Sequence, residues 1–127
     1  MSHLPKPTEA ELAILRVLWD RGPSTVRQVQ EALDATRASG YTTVLKLLQI
    51  MTDKGLTLRD ESERTHVYRS RLTEEQTQRQ LVRDLLDRAF AGSAAQLVMQ
   101  ALAASRATPD ELEEIRRLID QRTRRTI

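Results

Sequence analysis

The sequence predicts a mainly α-helical protein with one small β-hairpin. Three segments begin with Thr followed three residues later by Glu or Gln, which is the signature of a capped helix start, at Thr8, Thr73 and Thr108. Apolar residues then recur at helical spacing. Residues 56–69 instead form two short apolar segments around a polar turn, which indicates a hairpin. The length of 127 residues fits one domain, or a small domain with an appendage.

The predicted helices begin and end at recognisable signals. They cover residues 9–20, 25–35 (capped by Ser24), 41–54, 73–91, 93–104 and 109–125, and the strands cover 56–59 and 65–69. Gly22 and Pro23 end the first helix, and Gly55 ends the third. The predicted inward faces are Leu12, Leu15, Val17, Leu18 and Trp19; Val26, Val29, Ala32 and Leu33; Val44, Leu47, Leu48 and Met51. Tyr68 is also expected in the core.

Three short helices followed by a two-stranded hairpin is the order of a winged helix-turn-helix. We therefore predict a winged-helix domain over residues 1–72 and a helical dimerisation domain over residues 73–127. The last three helices carry more apolar stripes than the winged-helix core can bury, and packing against a second copy is the economical solution. The residues expected in that interface are Leu81, Leu85, Leu97, Val98, Leu102, Leu112, Ile115 and Ile119.

Composition excludes several kinds of chemistry. The chain has no Cys, its two His residues are isolated, and it has no Gly-rich phosphate loop, so we expect no disulfide, metal or cofactor. No nucleophile and base stand in a recognisable pattern, so we do not expect an enzyme. The sequence contains no membrane-length apolar run and no secretory signal pattern, which predicts a cytoplasmic protein.

The predicted third helix carries the residues that suit DNA reading. Residues 21–72 have a net charge of +3 and residues 73–127 a net charge of 0, which favours a polyanionic partner for the first part. Lys and Gln can hydrogen-bond purine edges, and Thr offers a hydroxyl and a methyl group. The outward, base-reading candidates are Thr42, Thr43, Lys46 and Gln49. The alternative interpretation is an ordinary solvated helix face.

Phosphate contacts would position such a helix on DNA. The candidates are the backbone amides of Ser24 and Thr25, together with Arg27, Arg37, Tyr41, Arg64 and His66. Each Arg taken alone could equally serve solubility. The hairpin turn also contains Asp60, Glu61 and Glu63, which predicts that the tip of the wing does not enter a groove deeply.

Four stretches of the chain resemble one repressor family. They are TEAELAILRVLWDRGPSTVRQVQEAL at 8–33, GYTTVLKLLQIMTDKGLTLRD at 40–60, RTHVYRSRL at 64–72 and LVMQALAASRATPDELEEIRRLID at 97–120. The sequence is similar to the BlaI/MecI family of penicillinase and methicillin-resistance repressors. The resemblance implies a homodimer with N-terminal winged helices that binds inverted-repeat operators and blocks transcription.

The resemblance also bears on particular residues. It implies base reading by Thr42, Thr43, Lys46 and Gln49, whereas Leu45 stands where members often have Arg or Lys and could instead touch a thymine methyl. In the best-known members a membrane-bound sensor triggers proteolysis at a position matching Gln100 and Ala101, although the Asn-Phe pair associated with that cut is absent. The alternative there is a plain dimer-core helix. Related copper-responsive repressors have a cysteine motif, which this chain lacks.

Two other functions fit the same pattern. One is a ligand-responsive winged-helix regulator of the MarR type, which a small ligand that lowers DNA affinity would reveal. The other is a winged helix used for protein interaction without DNA binding, which an absence of salt-dependent DNA binding would favour.

Overall fold

A computed structural model describes residues 5–34 and 39–125. Its elements are α1 (Glu9–Arg21), α2 (Val26–Asp34), α3 (Tyr41–Lys54), β1 (Thr57–Asp60), β2 (Val67–Ser70), α4 (Glu74–Ala89), α5 (Ala94–Ala104) and α6 (Pro109–Arg125). The mainly helical class with one hairpin is confirmed. The chain divides into two compact units, one up to Arg83 and one from Asp84 onward.

The three predicted capping boxes are present. The amide of Glu11 donates to the Thr8 hydroxyl at 3.2 Å, and the Thr8 amide donates to the Glu11 carboxylate at 2.9 Å. Reciprocal bonds of the same kind join Thr73 to Gln76 and Thr108 to Glu111. These starts were predictable because all partners lie within three residues of each other.

The predicted cap of α2 is wrong by one residue. Thr25, not Ser24, forms the box, because its hydroxyl accepts from the Gln28 amide at 3.2 Å and its amide donates to the Gln28 side chain at 2.8 Å. The Ser24 hydroxyl donates instead to the carbonyl of Gly22 at 2.8 Å. Ser24 is buried, and its backbone forms an isolated antiparallel β-bridge with Tyr68.

The core lies between the first three helices and the hairpin. Its buried apolar residues are Ile14, Leu15, Leu18, Val26, Val29, Leu33, Val44, Leu48, Met51, Leu56 and Tyr68. Leu12, Val17, Trp19 and Leu47, which were predicted to face inward, are only partly buried against this cluster. Ile14 was missed, because the buried stripe of α1 follows the i, i+1, i+4 positions of Ile14, Leu15 and Leu18.

The hairpin begins and ends later than predicted. Its antiparallel register pairs Thr57 with Ser70 and Asp60 with Val67, so residues 61–66 form the connection. Leu56 does not join the strand because its amide donates to the Met51 carbonyl at 2.8 Å, closing the end of α3. That closure requires a left-handed backbone at the preceding residue, and Gly55 supplies it with φ of 85°.

Tyr68 ties the hairpin to the helices. Its side chain is 1% exposed, and its backbone exchanges two hydrogen bonds with Ser24, at 2.9 and 2.8 Å. Trp19 adds a second tie, because its indole N–H donates to the Ser70 hydroxyl and to the Leu72 carbonyl, both at 3.0 Å. The wing is therefore held at both ends of β2.

The compact unit that contains the winged helix extends into α4, as far as Arg83. The first half of α4 belongs to the winged-helix unit, since Thr77 is 3% exposed and the Gln80 amide donates to the Pro5 carbonyl at 3.3 Å. The contact between Pro5 and Gln80 spans 75 residues of sequence. The spacing of apolar residues along α4 in the sequence gives no sign of where its packing against the winged-helix unit ends.

The second unit has no core of its own. Between Asp84 and Arg125 no described side chain is buried. Its exposed large apolar residues are Leu85, Val98, Met99, Leu102, Leu112, Leu118 and Ile119. No helix within the described residues is long and apolar enough to cross a membrane.

An ion pair between a buried carboxylate and a partly exposed ammonium joins the start of α1 to the end of α3. The Lys54 ammonium donates to the Glu11 carboxylate at 2.7 Å, and the Glu11 side chain is 3% exposed. Burial raises the pKa of Glu11, but the hydrogen bonds from Lys54 and Thr8 and the charge of Lys54 outweigh it and leave the pKa lowered. The same carboxylate thus caps α1 and anchors α3.

We expect Glu11→Gln to lower the free energy of unfolding at pH 7 by about 1–3 kcal/mol, since a charged hydrogen bond is lost in a buried site. Because the folded pKa is lowered, the contribution of Glu11 is complete above the unfolded value of about 4.3 and is lost as pH falls through the folded value. The variant should lose less stability than the wild type over that acid range. Urea unfolding between pH 7 and pH 3 measures both effects.

The matched control is Glu9→Gln, which removes an exposed carboxylate from the same helical turn. It should leave the free energy of unfolding within about 0.5 kcal/mol of wild type. Equal stability of Glu11→Gln and Glu9→Gln at pH 7 would contradict this account of the ion pair.

Candidate nucleic-acid interface

Packing of α3 determines which of its side chains meet solvent. Val44, Leu48 and Met51 are each 0% exposed and hold one face of the helix against the core. The predicted base readers all lie on the exposed side of the same helix: Thr42, Thr43, Lys46 and Gln49. The structure therefore brings these four residues together on one polar face, in the first two and a half turns of a helix.

Leu45 and Ile50 are two apolar residues of α3 that lie outside its buried stripe. Leu45, considered for a thymine methyl contact, is half-buried and packs against the core cluster, on the side of the helix that faces the wing. Ile50 is 39% exposed and follows Lys46 by four residues, so it lies on the outward face. Sequence reasoning missed Ile50, although its spacing from Lys46 and from the buried stripe was a usable signal.

The two backbone amides predicted to hold a phosphate are already occupied. The Ser24 amide donates to the Tyr68 carbonyl at 2.9 Å, and the Thr25 amide donates to the Gln28 side chain at 2.8 Å. The prediction for these amides therefore needs correction. The amides of Val26 and Arg27 come next, and in the first turn of a helix such groups have no acceptor within the helix.

Most of the other phosphate candidates surround one groove. Arg27 and Tyr41 lie on one side of it, and Arg64 and His66, from the connection of the hairpin, lie on the other. The groove has a volume of about 490 Å³, and Thr25, Val26, Leu45, Thr65 and Tyr68 complete its lining. No Asp or Glu of the described residues lines it. Arg37, the remaining candidate, lies outside the described residues.

The acidic residues of the wing are engaged with the wing itself. Hydrogen bonding to Ser62 lowers the pKa of Asp60, whose carboxylate accepts from the Ser62 amide at 2.9 Å. Glu61 lies 3.5 Å from the Arg59 guanidinium and 3.6 Å from the His66 imidazole. These carboxylates therefore offset part of the local positive charge. Among ion pairs between described residues, none involves Arg64.

Arg59 is the cross-strand partner of Tyr68 in the hairpin. A hydrogen bond with the Tyr68 hydroxyl and the charge of Glu61 raise the pKa of the Arg59 guanidinium. Within the described part of the chain, no group of three or more His, Asp or Glu side chains could hold a metal ion. The side chains of Arg27, Arg64 and His66 supply this groove with hydrogen-bond donors and positive charge, which suit phosphate oxygens.

Comparison with known proteins gives one family over most of the chain. The model of the penicillinase repressor family matches residues 7–121. The transcriptional regulator BlaI of Mycobacterium tuberculosis, in strains CDC 1551 and H37Rv, is 44% identical over 69 residues. That match covers 54% of this chain and 50% of the relative, so the chain spans about half the length of the curated relatives it matches.

Solved structures show the same fold. The solution structure of the monomeric form of Bacillus licheniformis BlaI, in complex with the blaP half-operator, gives a TM-score of 0.51 at 24% identity and covers 59% of this chain and 92% of that one. The solution structure of the DNA-binding domain of the repressor BlaI gives 0.51 at 24%, covering 58% and 90%. The winged-helix fold is confirmed, and the family match over residues 7–121 shows that this chain belongs to the penicillinase repressor family.

Proposed function

We propose that this chain is a DNA-binding transcriptional repressor that acts as a homodimer on inverted-repeat operators. The observation that carries the proposal is the burial of Val44, Leu48 and Met51, which leaves the polar face of α3 beside a groove lined by cations. The names of the mycobacterial relatives and the half-operator complex of the Bacillus protein support it. A repressor family also agrees with the expectation that the chain is not an enzyme.

In this proposal α3 enters the major groove and reads bases. Lys46 can donate to guanine O6 and N7, Gln49 can pair with adenine, and the hydroxyls of Thr42 and Thr43 lie nearest the helix N-terminus, where such helices usually contact bases. Ile50 adds an apolar group for a thymine methyl or a sugar. The groove between α2, α3 and the wing would hold the phosphates that fix the register.

The second unit supports assembly with a second copy. This segment contains three helical pieces and many apolar residues, and none of its described side chains is buried. Its apolar surface therefore stays in contact with water unless a partner covers it. All eight predicted interface residues are partly or fully exposed in the single chain. Contact between identical helical segments is self-complementary about a two-fold axis, which matches the symmetry of an inverted-repeat operator.

Charge along α6 favours an antiparallel contact between copies. The first turn holds Asp110 and Glu111, and the last turn holds Arg122, Arg124 and Arg125. An apolar stripe runs between these ends, and it consists of the exposed Leu112, Leu118 and Ile119 and the partly exposed Ile115. Antiparallel pairing would place the acidic end of each helix beside the basic end of its partner and would oppose the helix dipoles.

Repression would follow from occupancy, since a dimer bound over a promoter excludes polymerase. The proposal places the protein in the cytoplasm, where operator DNA is found in bacteria. Release through a membrane-bound sensor protease remains part of the proposal. The bond between Gln100 and Ala101 lies inside α5, where both residues are exposed in the single chain. A cut there would remove α6 and the end of α5 from a dimer interface.

We expect Lys46→Ala to weaken binding to a selected duplex by about 1–3 kcal/mol, because a direct contact with a purine edge is lost. The duplex is obtained by selecting from a random-sequence pool with the wild-type chain. Fluorescence anisotropy at one fixed salt concentration measures the affinity, and a random-sequence duplex measures non-specific binding. Lys46→Ala should reduce the ratio of the affinity for the selected duplex to the affinity for the random-sequence duplex.

Arg16→Ala is the matched control, since it removes one exposed cation from α1 in the same unit. It should leave the ratio of specific to non-specific affinity unchanged. An unchanged ratio for Lys46→Ala would remove Lys46 from the base-reading set. Absence of salt-dependent binding by the wild type would instead contradict the proposed function.

We expect cysteine cross-linking to report antiparallel α6 helices, and the chain has no native Cys to interfere. A mixture of Leu112→Cys and Ile119→Cys should give a disulfide-linked dimer under mild oxidation, whereas Leu112→Cys alone should not. Residues seven apart on a helix differ by about 10.5 Å along its axis, beyond the Cα separation of about 4.4–6.8 Å that a disulfide spans.

Ile115→Cys, at the middle of the stripe, is the control and should cross-link with itself in either orientation. Efficient self-linking of Leu112→Cys without mixed linking would indicate parallel helices. A monomeric wild-type chain in analytical ultracentrifugation would contradict the homodimer itself.

A further inference from the structure

Arg27 and Tyr41 form a cation–π pair among the residues that line the groove. Arg27 is the second residue of α2, and Tyr41 is the first residue of α3. The carbon at the centre of the Arg27 guanidinium lies 5.8 Å from the centroid of the Tyr41 ring. Tyr41 is 44% exposed, so the pair faces solvent rather than the core. This distance lies within the range of a cation–π contact.

The pair forms although Arg27 has a carboxylate within reach on its own helix. Glu31 follows Arg27 by four residues, which is the spacing of a helical ion pair. Among the ion pairs between described residues, none joins Arg27 to Glu31. The guanidinium lies instead over the ring, in a groove that no acidic side chain within residues 5–34 and 39–125 lines.

A cation–π contact, unlike an ion pair, does not occupy the hydrogen-bond donors of Arg27 with a carboxylate. A guanidinium carries five N–H donors, and a contact with the face of an aromatic ring requires none of them to bond to an acceptor atom. An aromatic ring can therefore restrain the side chain without using a donor. An ion pair would occupy the donors that a phosphate needs, because carboxylate and phosphate bind the same planar fork.

We propose that Tyr41 is a positioning residue: its ring holds the Arg27 guanidinium across the groove from Arg64, oriented to bind a phosphate of the DNA backbone. In this proposal the Tyr41 hydroxyl makes no contact that DNA binding requires. This inference rests on the proposed function, because it assigns a role within the same DNA-binding surface. It also explains why an exposed aromatic residue stands at the first position of α3.

The test compares Tyr41→Phe, Tyr41→Leu, Arg27→Ala and the double variant Arg27→Ala/Tyr41→Leu on the selected duplex. Tyr41→Phe keeps the ring and should bind within about twofold of wild type. Arg27→Ala should bind about tenfold more weakly, and Tyr41→Leu about three- to tenfold more weakly. The double variant should be within about twofold of Arg27→Ala, since the ring acts only through Arg27.

Salt dependence separates positioning from a general loss of structure. Arg27→Ala and Tyr41→Leu should both lower the slope of log affinity against log salt by up to about 1, the value for one phosphate contact. The melting temperatures of all four variants should stay near that of wild type, because both side chains are exposed. Tyr41→Phe tests the proposal even if the leucine variant does not fold.

Three results would overturn the inference while leaving DNA binding intact. They are a loss with Tyr41→Phe equal to that of Arg27→Ala, additive losses in the double variant, and wild-type affinity of Tyr41→Leu. Failure of the proposed function is a different result, in which the wild-type chain itself selects no duplex and shows no salt-dependent binding.

Discussion

The structure depends on the burial of one stripe of α3. Val44, Leu48 and Met51 are completely buried against α1 and α2 side chains, and removing such residues from water stabilises by about 1.5–3 kcal/mol each. Rotation of α3 by about half a turn would expose them and bury Lys46 and Gln49, whose polar groups would lose their water. The orientation of the exposed polar face is therefore a consequence of the core.

Other contacts hold α1 and the wing in place against α3. The ion pair of Glu11 with Lys54 anchors the end of α3, and the backbone bonds of Ser24 with Tyr68 anchor the wing. The Glu11 side chain and Ser24 are buried, so loss of either contact would leave buried polar groups without a partner. The groove that contains Arg27 and Arg64 exists because α2, α3 and the wing meet around Tyr68.

Local features were predictable, and features decided by distant contacts were not. The order of elements, the boxes at Thr8, Thr73 and Thr108, and the buried stripe of α3 followed from residues within a few positions of each other. The cap at Thr25 instead of Ser24 was decided by the pairing of Ser24 with a strand 44 residues later. The end of the winged-helix unit within α4 likewise depends on the contact of Gln80 with Pro5. The polar face of α3 was predicted residue by residue, but its contacts with DNA stay a prediction.

The central claim is that α3 lies in the major groove at two symmetric positions. Dimethyl sulfate methylates guanine N7 in the major groove and adenine N3 in the minor groove, so protection from it reports which groove is filled. On the selected duplex, the account predicts two patches of protected guanine N7 whose centres are about 10 base pairs apart, or a multiple of that distance. Protection confined to adenine N3, with every guanine N7 still reactive, would contradict it.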